Sequence, residues 1–218
     1  MKNPSAQSFS QSSRTLVALM AACAALTGCG PESDELNDPS QELTNASSAL
    51  GPNLLINPSF DEGPACGCGV NVPYATIYAG DTSLTGWTVL GESVDQVSNA
   101  WSHAHGIASL DLNGSQAAGG VSQSVTTTPG ATYVVRFALA GNPNTACGGI
   151  NIKTVKVSVG GVSRNYSFDI TGKSYTNMGW TYRSFTFVAP SNSATLTFQS
   201  MTSTSCGPAI DDVSLAQQ

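Results

Sequence analysis

From residue 121 onward the chain alternates apolar and polar residues with period two, the mark of strands that bury one face. In ATYVVRFALAG, Tyr133, Val135, Phe137 and Leu139 share a face, with Thr132, Val134 and Arg136 opposite. KTVKVSVGG sets Val155, Val157 and Val159 against Thr154, Lys156 and Ser158. Tyr166, Phe168 and Ile170 alternate with Asn165, Ser167 and Asp169. Further strands are predicted around Phe185 and Phe187, around Leu196 and Phe198, and from Ile210 to Leu215. Earlier ones are predicted at Leu54 to Ile56, Trp87 to Leu90, Ile107 to Leu112 and Val121 to Val125. Pro129-Gly130 and Gly160-Gly161 are the clearest turns. No stretch carries a helical period, so the pattern predicts a single all-β sandwich of two antiparallel sheets.

The front of the chain reads differently. Lys2 and Arg14 precede an apolar run from Leu16 to Leu26, too short to span a bilayer and typical of a removed leader. It ends in Leu26-Thr27-Gly28-Cys29, a bacterial lipobox, so residues 1–29 are expected to be processed and Cys29 lipidated. A lipid on Cys29 would hold the exported protein on a membrane without crossing it. Gly30 is not the Asp that retains some lipoproteins at the inner membrane, which favours the outer one. Residues 30–50 hold five acidic residues and no basic or aromatic ones, the composition of a flexible acidic tether. The folded domain is then residues 51–218.

That domain carries six of the eight Lys and Arg and nine of the fourteen Asp and Glu. With no basic run and a mildly acidic balance, a nucleic-acid partner is excluded. Four cysteines remain after lipidation, Cys66, Cys68, Cys147 and Cys206. An even number in an exported domain favours disulfides, and the sequence allows three pairings.

No catalytic signature stands out. The only histidines are His103 and His105, and no nucleophile elbow, phosphate loop or His-Glu-x-x-His motif occurs. A carboxylate pair for glycan hydrolysis stays open on sequence grounds, because spacing along the chain does not fix spacing in the fold. The most distinctive loop is Trp101-Ser102-His103-Ala104-His105. On a strand its two imidazoles would face one way, a weak transition-metal site. The alternative is sugar binding, with Trp101 stacked on a pyranose face and His103, His105 and Asp95 bonding hydroxyls. Tyr74 and Tyr78 are candidates for the same rim, or for loop packing. Trp87 and Trp180 are expected in the core.

Ordered blocks carry a resemblance: NLLINPSFDEG (Asn53 to Gly63), LTGWTV, ESVDQV, ASLDLNG, VSQSVTTTPGATYVVRFALAGNP, FDITGKSYTNMGW, SFTFVAPSNSATLTFQS and CGPAIDDVSL (Cys206 to Leu215). The series resembles the bacterial choice-of-anchor C domain, and is similar to plant cell-wall proteins built from tandem galactose-binding-like modules. The resemblance implies a galactose-binding-like jelly roll and a surface-anchored, non-catalytic binder of a polysaccharide or glycoconjugate. The plant proteins are associated with wall polysaccharides and pectin-modifying enzymes. The rival reading is a cell-envelope structural or protein-interaction module, and a glycan hydrolase ranks below both. In the plant group, cysteines match Cys147 and Cys206, which implies a disulfide between them and leaves Cys66 and Cys68 to each other or reduced. Jelly-roll sugar binders often clip their first and last strand regions with one structural calcium ion, here implying Asp61 or Glu62 with Asp211 or Asp212. Asp211 shares parity with Val213 and Leu215, so it is expected to point inward and to need a partner.

Overall fold

A computed structural model describes residues 50–66, 72–114 and 117–218. The leader, Cys29, the tether up to residue 49 and Cys68 lie outside the described residues. Eleven strands follow in order: β1 (Tyr74–Tyr78), β2 (Thr88–Gly91), β3 (Ser93–Val97), β4 (Ser109–Asp111), β5 (Gly119–Thr126) and β6 (Thr132–Gly141), then β7 (Ile152–Val159), β8 (Val162–Asp169), β9 (Thr181–Val188), β10 (Ser193–Ser200) and β11 (Pro208–Gln217). They form a six-stranded sheet, β1-β3-β4-β11-β6-β9, and a five-stranded sheet, β2-β5-β10-β7-β8. Every pairing between these strands is antiparallel, and the described residues form an all-β sandwich.

The alternating runs place their apolar faces between the sheets. Val135, Phe137 and Leu139 of β6 are fully buried, as are Val155 and Val157 of β7 and Leu196 and Phe198 of β10. Phe137 meets the edges of Tyr166 and Phe198, with ring centroids 5.4 and 5.1 Å away. Trp87 is a core residue as expected, set against Phe60 and donating its indole N–H to the Asn57 carbonyl at 3.0 Å. Trp180 is half-buried at the core's margin, its indole N–H on the Ser102 carbonyl.

Leu54 to Ile56 is not a strand. The segment still runs beside β11, with the Leu54 amide donating to the Leu215 carbonyl. Asn53 replaces part of a ladder: its carboxamide oxygen accepts from the Leu55 and Leu215 amides, and its Nδ2 donates to the Val213 carbonyl. The expected inward turn of Asp211 is also corrected. β11 carries a bulge between Asp211 and Ser214, with Asp212 at φ 44°. A bulge inserts a residue and so breaks the parity that links Asp211 to Leu215. Asp211 pairs with Ala138, in step with outward-facing Arg136, while Leu215 pairs with inward-facing Val135. Asp211 is buried from the other side, under the loop that follows β3.

Cys147 and Cys206 form a disulfide that spans 59 positions. Closing a loop of that size stabilises a fold by roughly 4 kcal/mol through the unfolded chain. Among the described residues Cys66 has no disulfide partner.

Candidate functional site

The middle of the outer face of the six-stranded sheet is built from short side chains. One row across neighbouring strands reads Thr76, Asp95, Asp111, Ala209 and Ala140. Ser109 and Ala138 lie on the same face, and Ser109, Ala138, Ala140 and Ala209 are buried despite facing away from the sandwich. Small residues let backbone lie close, and residues 101–108 use that room. Trp101 donates its indole N–H to Ser109 Oγ at 2.7 Å, and the amides of Ala104 and His105 donate to Asp211 Oδ2 at 2.8 and 2.9 Å. At the far side of this loop, Ile107 and Ala108 donate to Asp61 Oδ1. Gly106, at φ 65°, passes so near that carboxylate that a Cβ would overlap it. Carboxylates from the first and last segments thus pin one loop over half of the sheet.

The uncovered half is a cleft of about 480 Å³. Its floor is Thr76, Asp95 and Asp111, its rim carries Tyr74 and Tyr175, and Asn142 and Asn144 stand beside the disulfide at Cys206. Tyr74 and Tyr175 are 54% and 45% exposed, so their rings are available to a ligand. The Tyr175 loop is tied to the Trp101 loop, since the Ser102 amide donates to the Tyr175 carbonyl. A larger hollow of about 570 Å³ lies between residues 51–54, 126–128 and 217–218. Its one titratable side chain, Tyr133, has its hydroxyl engaged by the Thr128 amide and Gln217, so it offers less chemistry.

Asp95 and Asp111 are direct cross-strand partners. Thr76 donates its hydroxyl to Asp95 Oδ1 at 2.6 Å. Asp111 accepts the amides of Asn113 and Gly207 on Oδ1 and the Asn142 carboxamide N–H on Oδ2. Burial raises both acids above the ordinary carboxylate range. For Asp111, complete enclosure outweighs its three N–H donors and carries it to about 7, with the nearby Asp95 charge adding to the rise. For Asp95, burial outweighs the Thr76 bond. Lys153 is enclosed behind the Cys206 backbone, with Nζ donating to the Cys206 carbonyl at 2.8 Å.

The residues anticipated from sequence divide. Tyr74, Asp95 and Trp101 meet at the cleft, whereas Tyr78, His103 and His105 do not line it. The expectation of an exposed, sugar-stacking Trp101 is corrected: the residue is only 6% exposed and belongs to the core cluster. Its ring is consumed in roofing the sheet. The two imidazoles do not face one way, because residues 101–107 form no strand. His103 Nδ1 pairs with Ser109 Oγ, and His105 Nδ1 with Ser59 Oγ. Burial lowers the His103 pKa. Thr76, Asp111, Asn142, Asn144 and Tyr175 went unanticipated. Asp111 alone left a trace, as a carboxylate between Leu110 and Leu112 in a strand-like run.

The four carboxylates proposed for calcium do not fit that ion. Calcium asks for about six to eight oxygen ligands. Here Asp61 Oδ1 accepts the Ile107 and Ala108 amides, and Asp211 accepts the Ala104 and His105 amides on Oδ2 and the Asp212 amide on Oδ1. Asp212 Oδ2 accepts the Tyr182 hydroxyl at 2.6 Å, and Glu62 is exposed. Among the described residues no three His, Cys, Asp or Glu side chains converge as a metal site. The hydrogen-bonded role accounts for their positions.

Among solved structures, the chain is similar to the carbohydrate-binding module TmCBM61 in complex with β-1,4-galactotriose, at 17% identity and TM-score 0.47, covering 77% of this chain and 100% of that one. It is also similar to a family 35 carbohydrate-binding module from Clostridium thermocellum, at 14% identity and TM-score 0.43, covering 66% and 98%. A curated relative is halomucin of Haloquadratum walsbyi, 34% identical over 173 residues, or 78% of this chain. The chain spans 2% of the length of halomucin. Residues 53–216 match the family described as "Protein of unknown function (DUF642)", and the chain belongs to that family.

Proposed function

We propose that this domain is a non-catalytic carbohydrate-binding module whose ligand lies in the cleft between Tyr74 and Tyr175. The observation that carries the reading is the pairing of two exposed phenol rings with a polar lining in which Asp95 and Asn144 keep groups for a ligand and Asp111 and Asn142 brace them. Sugars present hydroxyls around the ring and C–H groups on its faces. Carboxylates and amides bond the hydroxyls, and aromatic rings cover the C–H face. Histidine is absent from the cleft lining, and its two acids are hydrogen-bonded into the sheet. That arrangement suits holding a sugar better than turning one over. A glycan array, followed by affinity electrophoresis on the polymers it selects, tests this reading. Binding that falls at least about tenfold in Asp95→Ala, with melting temperature kept, supports it. Absence of binding to every glycan would remove it.

We also propose, from the Leu26-Thr27-Gly28-Cys29 sequence, that the module sits at the cell surface. Lipid on Cys29 would attach it to the outer membrane through the acidic tether, in the manner of choice-of-anchor proteins. Fractionation of a Cys29→Ala variant tests the anchor: release from the membrane is expected, and full retention contradicts it.

A further inference from the structure

The charge of the cleft narrows its ligand to one class of sugar, an inference that rests on the carbohydrate reading above. The cleft lining includes two carboxylates, Asp95 and Asp111, and no Lys, Arg or His. The internal residues outside the described set, 67–71 and 115–116, contain no charged side chain either. Lys153, the cation that interacts electrostatically with Asp111, is 1% exposed and already donates to the Cys206 carbonyl. Lys173, in the loop that carries Tyr175, has Nζ 5.9 Å from the centre of the Phe168 ring. Among the described residues no positive group lines the cleft.

The polar groups that remain suit hydroxyls. Asp95 Oδ2 makes no hydrogen bond among the described residues, since Thr76 occupies Oδ1. Asn144 uses its carboxamide oxygen for the Ala146 amide, and its Nδ2 donates to no described residue. Asn142 is spent internally, on Asp111 and the Asn144 amide. The floor therefore offers an acceptor, and the wall a donor, which together are a hydroxyl's two requirements. A uronate or sulfate ester placed here would instead meet the Asp95 carboxylate in a partly desolvated setting, with the enclosed Asp111 behind it and no cation in the lining. Like charges set together across an interface strongly disfavour the complex.

We infer that the cleft selects uncharged glycans and rejects uronic-acid and sulfated polymers. A carboxylated sugar has one route in, a divalent cation bridging it to Asp95, so the experiment must include that condition. Affinity electrophoresis of the full chain is run in gels containing neutral β-1,4-galactan or neutral xyloglucan, and in parallel gels containing polygalacturonate or heparin. Each gel is run with calcium and with chelator. Retardation is expected in at least one neutral gel, with the acidic polymers more than about tenfold weaker in both conditions. Because no ion pair is formed, added salt should leave the neutral affinity in place. Equal or tighter binding of an acidic polymer, with or without calcium, overturns the inference while leaving the carbohydrate reading intact. Neutral binding that survives unchanged in a folded Asp95→Ala variant also overturns it, because the sugar then sits elsewhere. If no polymer of either class binds, the carbohydrate reading itself falls and this inference falls with it.

Discussion

The two outer faces of this sandwich begin from similar sequence and end as different surfaces. On the five-stranded sheet the outward positions are mostly Ser and Thr, and hydroxyls pair across the strands: Ser124 with Thr195, Thr154 with Ser167, Ser158 with Ser163. Those groups satisfy one another, and no described residue covers them. On the six-stranded sheet the outward row is Asp, Ala and Ser, too short to cover the backbone. The loop of Trp101 fills half of that shallow bed, and the exposed remainder becomes the cleft. A flat hydroxyl ladder has nowhere to enclose a ligand. A small-residue face, half roofed, leaves a walled space with buried acids at its base.

The sharpest way to break this comparison is to remove the roof. Trp101→Ala deletes a buried ring and its bond to Ser109, and the expected cost is about 3 to 5 kcal/mol. Thermal melting checks it. A variant that melts like the wild type would mean that Trp101 is not holding the loop to the sheet.

A smaller effect follows from pH. Folding raises Asp111 and Asp211 from 3.8 to about 7, chiefly by burial. A raised carboxyl favours the protonated form in the folded state. The stability tied to that preference is complete below the unfolded value near 3.8, and is lost as pH climbs to about 7. Melting temperature should therefore fall between mildly acidic and neutral pH, opposed in part by His103, whose burial-lowered pKa makes the fold gain stability as pH rises through the ordinary imidazole value of 6.5. Asp81 and Asp169, lowered below 3.8 by local hydrogen bonds, are ionised throughout this window and change nothing in it. Asp111→Asn should flatten the slope. A melting temperature that rises across this window would contradict the burial of these acids.

Why the sequence reveals one face better than the other follows from the same contrast. β5 to β10 were legible because each alternates apolar and polar residues, and their register follows from burying one face. β1 and β3 were not. In β1, Tyr74, Thr76 and Tyr78 face outward, and only Ile77 is fully buried on the other side. In β3 the inward pair is Val94 and Gln96, and Gln96 is spent on the Phe60 carbonyl and the Ala65 amide. Polar residues on both faces erase the period that marks a strand, yet these strands supply Tyr74, Thr76 and Asp95. Asn142, Asn144 and Tyr175 join them through turns, where sequence offers no face to read. Trp101 misled for a related reason. A Trp beside two His in a loop suggests an exposed platform, but the loop lies on a bed of Ala and Ser that only the strand pairing exposes. Asp211 shows how little is needed: one bulged residue reverses the parity of everything before it.

The central claim is that the Tyr74–Tyr175 cleft, and not the hydroxyl face opposite, is the working surface of the protein. Isothermal titration with a glycan selected by the array, on Tyr74→Ala combined with Tyr175→Ala, tests it most directly when set beside Ser124→Ala. Both tyrosines are exposed, so each change should alter stability by no more than about 0.5 kcal/mol. The account predicts that the double tyrosine variant loses at least about tenfold in affinity with its fold intact, while Ser124→Ala binds like the wild type. Full affinity in the tyrosine variant, or loss in Ser124→Ala, would contradict it.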